Sequence, residues 1–234
     1  MLIDISQPLD SATAVWPGDQ PFELAWTLRR DRGDSVNVAA VRSSVHAGTH
    51  ADGPLHVSSG LPVGALALEA FVGAALVVDA RARVSGEPPA VEASVLAGLD
   101  PVETPRVLLR TRDAVDPTRF PDRFAALSPA LARALVERGF TLVGTDAPSI
   151  DPVDSTELPA HRSLSAGGVV HLENLVLDHV EPGRYTLIAL PLRLMDADSS
   201  PVRAVLWTER HGRARPPADS GIARARSSGG SLQP

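Results

Sequence analysis

The chain has 234 residues, 44% of them hydrophobic and 21% charged, an ordinary balance for a globular protein and enough length for one large domain. It has 0 Cys, and Arg supplies all 22 basic residues, which excludes disulfides, thiolate catalysis, Cys-ligated zinc, lysine Schiff bases and Walker-type phosphate loops. Any metal must be held by His and carboxylates, and the net charge of -6 argues against a nucleic-acid binder.

In chain order, Met1-Leu2-Ile3-Asp4-Ile5 has no basic stretch leading into a long apolar run, so no secretory leader is expected. No apolar run approaches the ~20 residues of a membrane span, and the expected location is the cytoplasm. Residues 2–5 predict a short strand. Residues 22–29 and 35–45 predict two more, the second alternating at Val36, Val38 and Ala40. Residues 73–79 predict a buried strand and 89–99 a helix. Two further buried strands are predicted at 107–111 and 141–144. Between them the clearest helix covers 130–138, with Ser128 as N-cap, Pro129 at the first helical position and Gly139 as its stop. Late strands are predicted at 184–189 and 202–208. This order points to a single α/β or α+β domain with a mixed sheet over residues 1–210. Residues 211–234, rich in Arg, Pro, Gly and Ser, predict a disordered tail.

The segment His46-Ala-Gly-Thr-His50-Ala-Asp52-Gly-Pro-Leu-His56 gathers three of the 7 His, with an Asp among them. His is the commonest metal ligand, and carboxylates join it in hydrolytic sites. Gly48, Gly53 and Pro54 argue against a helix, and Ala47 stands where the zinc-protease motif needs Glu. The pattern predicts an apolar strand that ends near Val45 and runs into a Gly-rich loop curled around an ion. One such His would be read as an ordinary surface or core residue, but three with an Asp point to metal.

Downstream, Gly144-Thr-Asp146-Ala-Pro148-Ser-Ile-Asp151-Pro-Val-Asp154 predicts an irregular loop leaving the 141–144 strand, a common setting for function. Asp151 and Asp154 are read as turn or helix-cap residues. His171 and His179 are read as structural, and spacing alone singles out neither His161 nor Glu173.

At His46-x-Gly-Thr-His50-x-Asp52-x-Pro54-x-His56 the chain resembles the bacterial kynurenine formamidases, within the metal-dependent cyclase/amidohydrolase family. Gly144-Thr-Asp-Ala-Pro-Ser-Ile-Asp-Pro, Leu158-Pro-Ala-His161, Leu172-Glu173-Asn174, the opening Asp4-Ile-Ser-Gln-Pro and Trp16-Pro17-Gly18-Asp19 reinforce it over residues 1–210. The resemblance implies an α/β fold with a mixed β-sheet, barrel-like core and flanking helices, the swivelling β/β/α fold of the cyclase family. It implies a homodimer and two divalent ions per subunit, most often zinc, with manganese also compatible. His46, His50 and Asp52 match ligands of the first ion, His161 a ligand of the second, and Asp52 and Glu173 bridging ligands. His56 matches the catalytic acid/base and Trp16 a residue lining the substrate pocket. The implied reaction is hydrolysis of the small molecule N-formyl-L-kynurenine to L-kynurenine and formate in tryptophan degradation, with no part for nucleic acid or membrane.

This chemistry accounts for the residue types. A bound zinc lowers the pKa of its water from about 15.7 to roughly 7, and two ions ~3.5–4 Å apart need bridging carboxylates to offset their repulsion. An aryl amine leaves only when protonated, and an imidazole, with its ordinary pKa of about 6.5, can take up and return that proton. On the residues alone, His56 can equally be a fifth ligand, and Trp16, in the turn sequence Trp-Pro-Gly-Asp, either a ring-stacking residue or a partly buried turn residue. Two other readings use the same side chains: a relative that opens a cyclic amide such as isatin, or a lactone, and a metal-binding module without catalysis.

Overall fold

The computed structural model describes residues 1–208. The stretch 211–234, expected to be a disordered tail, lies outside them. The strands are β1 (Leu2–Asp4), β2 (Glu23–Leu28), β3 (Val38–Arg42), β4 (His50–Asp52), β5 (Val72–Asp79), β6 (Val84–Ser85), β7 (Ala90–Val91), β8 (Arg106–Arg110) and β9 (Ala126–Leu127). After these come helix α1 (Pro129–Arg138), strand β10 (Leu142–Thr145), helix α2 (Pro159–Ala166), and strands β11 (Val170–Glu173), β12 (Gly183–Ile188), β13 (Ser199–Pro201) and β14 (Val205–Trp207).

Nine strands form one curled, mixed sheet in the order β1-β14-β12-β5-β8-β10-β11-β4-β13. The run β5-β8-β10-β11 is parallel, and both flanks are antiparallel. Parallel strands are covered on both faces, so they read as continuous apolar runs. In β8 the two-residue period sends Leu108 to one side and Val107 and Leu109 to the other. Leu108 meets Leu142, Leu172 and Leu187 inside the curl. Val107 and Leu109 meet Leu131 and Leu135 of α1 and Leu164 of α2 on the helix side. The mixed sheet is as the sequence predicts, and its half-barrel curl with flanking helices matches the barrel-like core that the resemblance implies. Helix α1 has its expected signals: the Ser128 side chain accepts from the Leu131 N–H, Pro129 opens it, and Gly139, at φ 82°, closes it.

Two expectations change and one helix is new. The helix at 89–99 is replaced by strand β7 and a 3-10 turn at Ala93–Leu96. The reason is pairing with a distant segment: the Pro89 and Val91 carbonyls accept from Ala126 N and Ser128 N at 3.1 and 3.0 Å. Helix α2 escapes the sequence reading, since its eight residues include only a few apolar positions. The strand expected over 35–45 ends at Arg42, and β2 and β3 form a separate two-stranded ribbon exposed along its whole length. Among the described residues no helix is long and apolar enough to cross a membrane.

Candidate metal centre

Strands β4 and β11 set the centre through their register. Antiparallel pairing places His171 opposite Asp52 and Glu173 opposite His50. Residues two apart on a strand share a face, so these four side chains all point one way. Ala51 and Leu172, between them, point the other way into the apolar cluster inside the curl. The expected loop around His50 and Asp52 is therefore a strand, which fixes the side chains more firmly than a loop would.

The remaining groups arrive from separate segments. His46 sits on the turn before β4. Gly48 follows at φ 64°, where a Cβ would come 2.7 Å from Leu9 Cδ2. The positive φ is what calls for glycine there. Its carbonyl accepts from His50 Nδ1 at 2.9 Å. His56 ends the 3-10 turn Pro54–His56. His161 projects from the first turn of α2, and Asp151 in the preceding loop accepts from the Ala160 and His161 N–H groups at 3.0 Å each. Asp151 is thus the helix-end residue the sequence suggests, and its carboxylate also takes His161 Nδ1 at 2.6 Å.

A carboxylate or carbonyl oxygen only accepts, so the nitrogen facing it carries the hydrogen. His46 Nε2 donates to Asp198 Oδ2 at 2.9 Å, and His56 Nδ1 donates to the same oxygen at 3.0 Å. The opposite nitrogens of His46, His50 and His161 then converge on Asp52 and Glu173. His46 Nδ1 lies 3.1 Å from Asp52 Oδ1, and His50 Nε2 lies 3.5 Å from that oxygen and 3.2 Å from Glu173 Oε2. His161 Nε2 lies 3.7 Å from Asp52 Oδ2 and 3.4 Å from Glu173 Oε1. All five side chains expected to hold metal are thus brought together, with His56 beside them: its ring centroid is 4.6 Å from that of His46.

The donor set fits a cation. His50 Nε2 and Asp52 Oδ1 are buried without a hydrogen-bond partner, which costs about 1–3 kcal/mol for each such group. Burial favours neutral carboxyls, yet the surrounding imidazoles hold Asp52 and Glu173 below the usual carboxylate range. Burial also works against charge on His46, but Asp52 and Asp198 raise its pKa to about 9. Against the same penalty, Asp151, Asp52 and Glu173 raise His161 to about 11. Two buried carboxylates thus retain positive charge around them as protons, a role that metal binding takes over.

Residues 3–152 match the family model described as "Cyclase: Putative cyclase". The chain belongs to the cyclase family. It is 49% identical over 208 residues to the kynurenine formamidase of Salinibacter ruber, covering 88% of this chain and 96% of the relative. It is 44% identical over 205 residues to the kynurenine formamidase of Bacillus thuringiensis (strain Al Hakam), covering 87% and 96%. Among solved structures it is similar to a potential metal-dependent hydrolase with cyclase activity (TM-score 0.74, 26% identity, covering 88% of this chain and 96% of that one). It is also similar to isatin hydrolase A from Labrenzia aggregata bound to benzyl benzoate (TM-score 0.70, 26% identity, 88% and 93%).

In this cyclase-family chain the cluster opens into a cavity of about 260 Å³. His46, His50, His56, His161 and Glu173 line it. Trp16 lines it as well, edge-on to Phe120 with ring centroids 5.3 Å apart. Trp16 also belongs to a turn, its carbonyl accepting from Asp19 N at 2.9 Å. Two members of the cluster escape the sequence reading. His171, read as structural, donates from Nε2 to Asp52 Oδ2 at 3.1 Å and orients that carboxylate. Its two-residue spacing from Glu173 was the available signal. Asp198 offers none, because it is 152 residues from His46 and 142 from His56.

Proposed function

We propose that the chain is a metal-dependent arylformamidase that hydrolyses N-formyl-L-kynurenine to L-kynurenine and formate. The observation that carries this is the convergence of His46, His50, Asp52, His161 and Glu173 around two buried polar atoms that lack partners. The identity to kynurenine formamidases, 44–49% over nearly their whole length, supports this substrate. His46, His50 and Asp52 would hold one divalent ion, with His161 at a second and Asp52 and Glu173 bridging. Zinc is the ion assigned, since nitrogen and carboxylate ligands suit it, and manganese is compatible. When bound, such ions supply an activated water and polarise the formyl carbonyl.

The chain's own residues handle the protons. Asp198 fixes the hydrogen on His56 Nδ1, which leaves Nε2 as the basic atom. Nε2 accepts a proton as water attacks the formyl carbon and returns it to the aryl nitrogen as the C–N bond breaks. Trp16 and Phe120 present apolar surface to the aryl ring. His171 and Asp151 hold Asp52 and His161 in place throughout.

A second reading, ring opening of a cyclic amide, draws on the likeness to isatin hydrolase A. Purified protein offered N-formyl-L-kynurenine and isatin in parallel separates them: turnover of the formamide supports the proposal, and turnover of isatin alone overturns it. We further infer a cytoplasmic homodimer acting in tryptophan degradation. Its contact is assigned to the β2–β3 ribbon, where Leu24, Trp26, Leu28, Val38 and Val41 are all exposed.

A further inference from the structure

Arg112 lines the cavity, and it is half-buried. Arg30, Arg32, Arg42, Arg83, Arg133 and Arg193 are exposed to solvent, whereas most of the remaining guanidinium groups hold a partner. Arg119, which lines the same cavity, is bound to Asp122. Arg106 donates to the Ala70, Ala74 and Glu69 carbonyls, and Arg81, Arg123, Arg184 and Arg203 each hold a carboxylate. Among the described residues the Arg112 guanidinium has no hydrogen bond and no ion pair, although its charge acts at a distance on Asp116 and Asp146.

Its backbone, by contrast, is anchored. The buried Asp146 carboxylate accepts from Thr111 N at 3.0 Å, from Arg112 N at 3.1 Å and from the Thr111 hydroxyl. Arg110 Nε donates to the Arg112 carbonyl at 3.2 Å. A fixed stem carrying an unpaired guanidinium is a preorganised anion site. The planar fork of Arg matches a carboxylate through two parallel hydrogen bonds.

We propose that Arg112 determines specificity by binding the α-carboxylate of an amino-acid side arm on the aryl formamide. The proposal rests on the formamidase reading above. The cavity is lined by the imidazoles, by the Trp16 and Phe120 rings and by Arg112, whose guanidinium has no hydrogen bond or ion pair among the described residues. Asp19 and Asp116 also line it and offer acceptors for the ammonium of the same side arm. In a chain of net charge -6, this local cation is what admits an anionic group.

The test compares two substrates that differ in one group: N-formyl-L-kynurenine and N-formylkynuramine, which lacks the carboxylate. For the wild type and the Arg112→Ala and Arg112→Lys variants, kcat/KM is measured on both. Calorimetry gives binding of L-kynurenine and kynuramine. The wild type favours the carboxylate-bearing substrate. Arg112→Ala lowers that preference about tenfold to a hundredfold, mainly through KM, and weakens L-kynurenine binding by a similar factor. Arg112→Lys keeps the charge but loses the fork, so it falls between. If the Ala variant fails to fold, the Lys variant decides. A preference ratio and a binding ratio unchanged in both variants overturn the proposal while leaving the formamidase reading intact. A wild type that hydrolyses neither formamide overturns both.

Discussion

At the scale of the residue, the hydrogen bond at one imidazole nitrogen decides what the other can do. His46 and His56 both donate to Asp198 Oδ2, yet they are left with different tasks. His46 Nδ1 faces Asp52, whereas the free nitrogen of His56 is assigned to the proton. His56→Asn therefore keeps the metal content of the wild type and lowers kcat by about 10²–10⁴-fold. Elemental analysis beside a steady-state assay checks this, and loss of metal would place His56 among the ligands. His46, His50, Asp52 and His56 were legible because they sit close together in the chain. His161 and Glu173 were reached through the family resemblance. His171, Asp198 and Arg112 were not reached, because their neighbours in the chain say nothing of what they face.

At the scale of the element, short strands and one short helix deliver the site. Strands β4 and β11 have three and four residues, too few for a periodic pattern to reveal. Their pairing, and hence the common face of His50, Asp52, His171 and Glu173, depends on residues more than a hundred positions apart. Helix α1 was legible because its cap, its proline and its closing glycine are local. The 89–99 segment was misread because its partner, β9, lies elsewhere in the chain. Asp151 couples α2 to the site, holding the helix's first turn and the His161 ring at once. Asp151→Asn removes the charge that holds Nδ1 and weakens metal affinity by about 10–100-fold. Competition with a chromogenic chelator measures this, and unchanged affinity would contradict the coupling.

At the scale of the whole molecule, the curled sheet keeps its two apolar clusters on opposite faces and turns the polar edges of β4 and β11 into the cavity. The apolar runs at 107–111 and 141–144 made the buried strands of that sheet legible. The ribbon β2–β3 forms a separate sheet, and it exposes Leu24, Trp26, Leu28, Val38 and Val41 together. A homodimer closing over this ribbon predicts that the wild type sediments at twice the chain mass of 24.6 kDa. Trp26→Asp would then sediment as a single chain with its metal retained, and a wild-type monomer would contradict the arrangement. On the proposed function, His46, His50, Asp52, His161 and Glu173 hold divalent ions that the hydrolysis requires. Metal analysis and N-formyl-L-kynurenine turnover, measured on one sample before chelation, after it and after zinc is restored, test it most directly. Two ions per chain, loss of turnover with the metal and recovery on its return are expected, whereas full turnover by metal-free protein would contradict the proposed function.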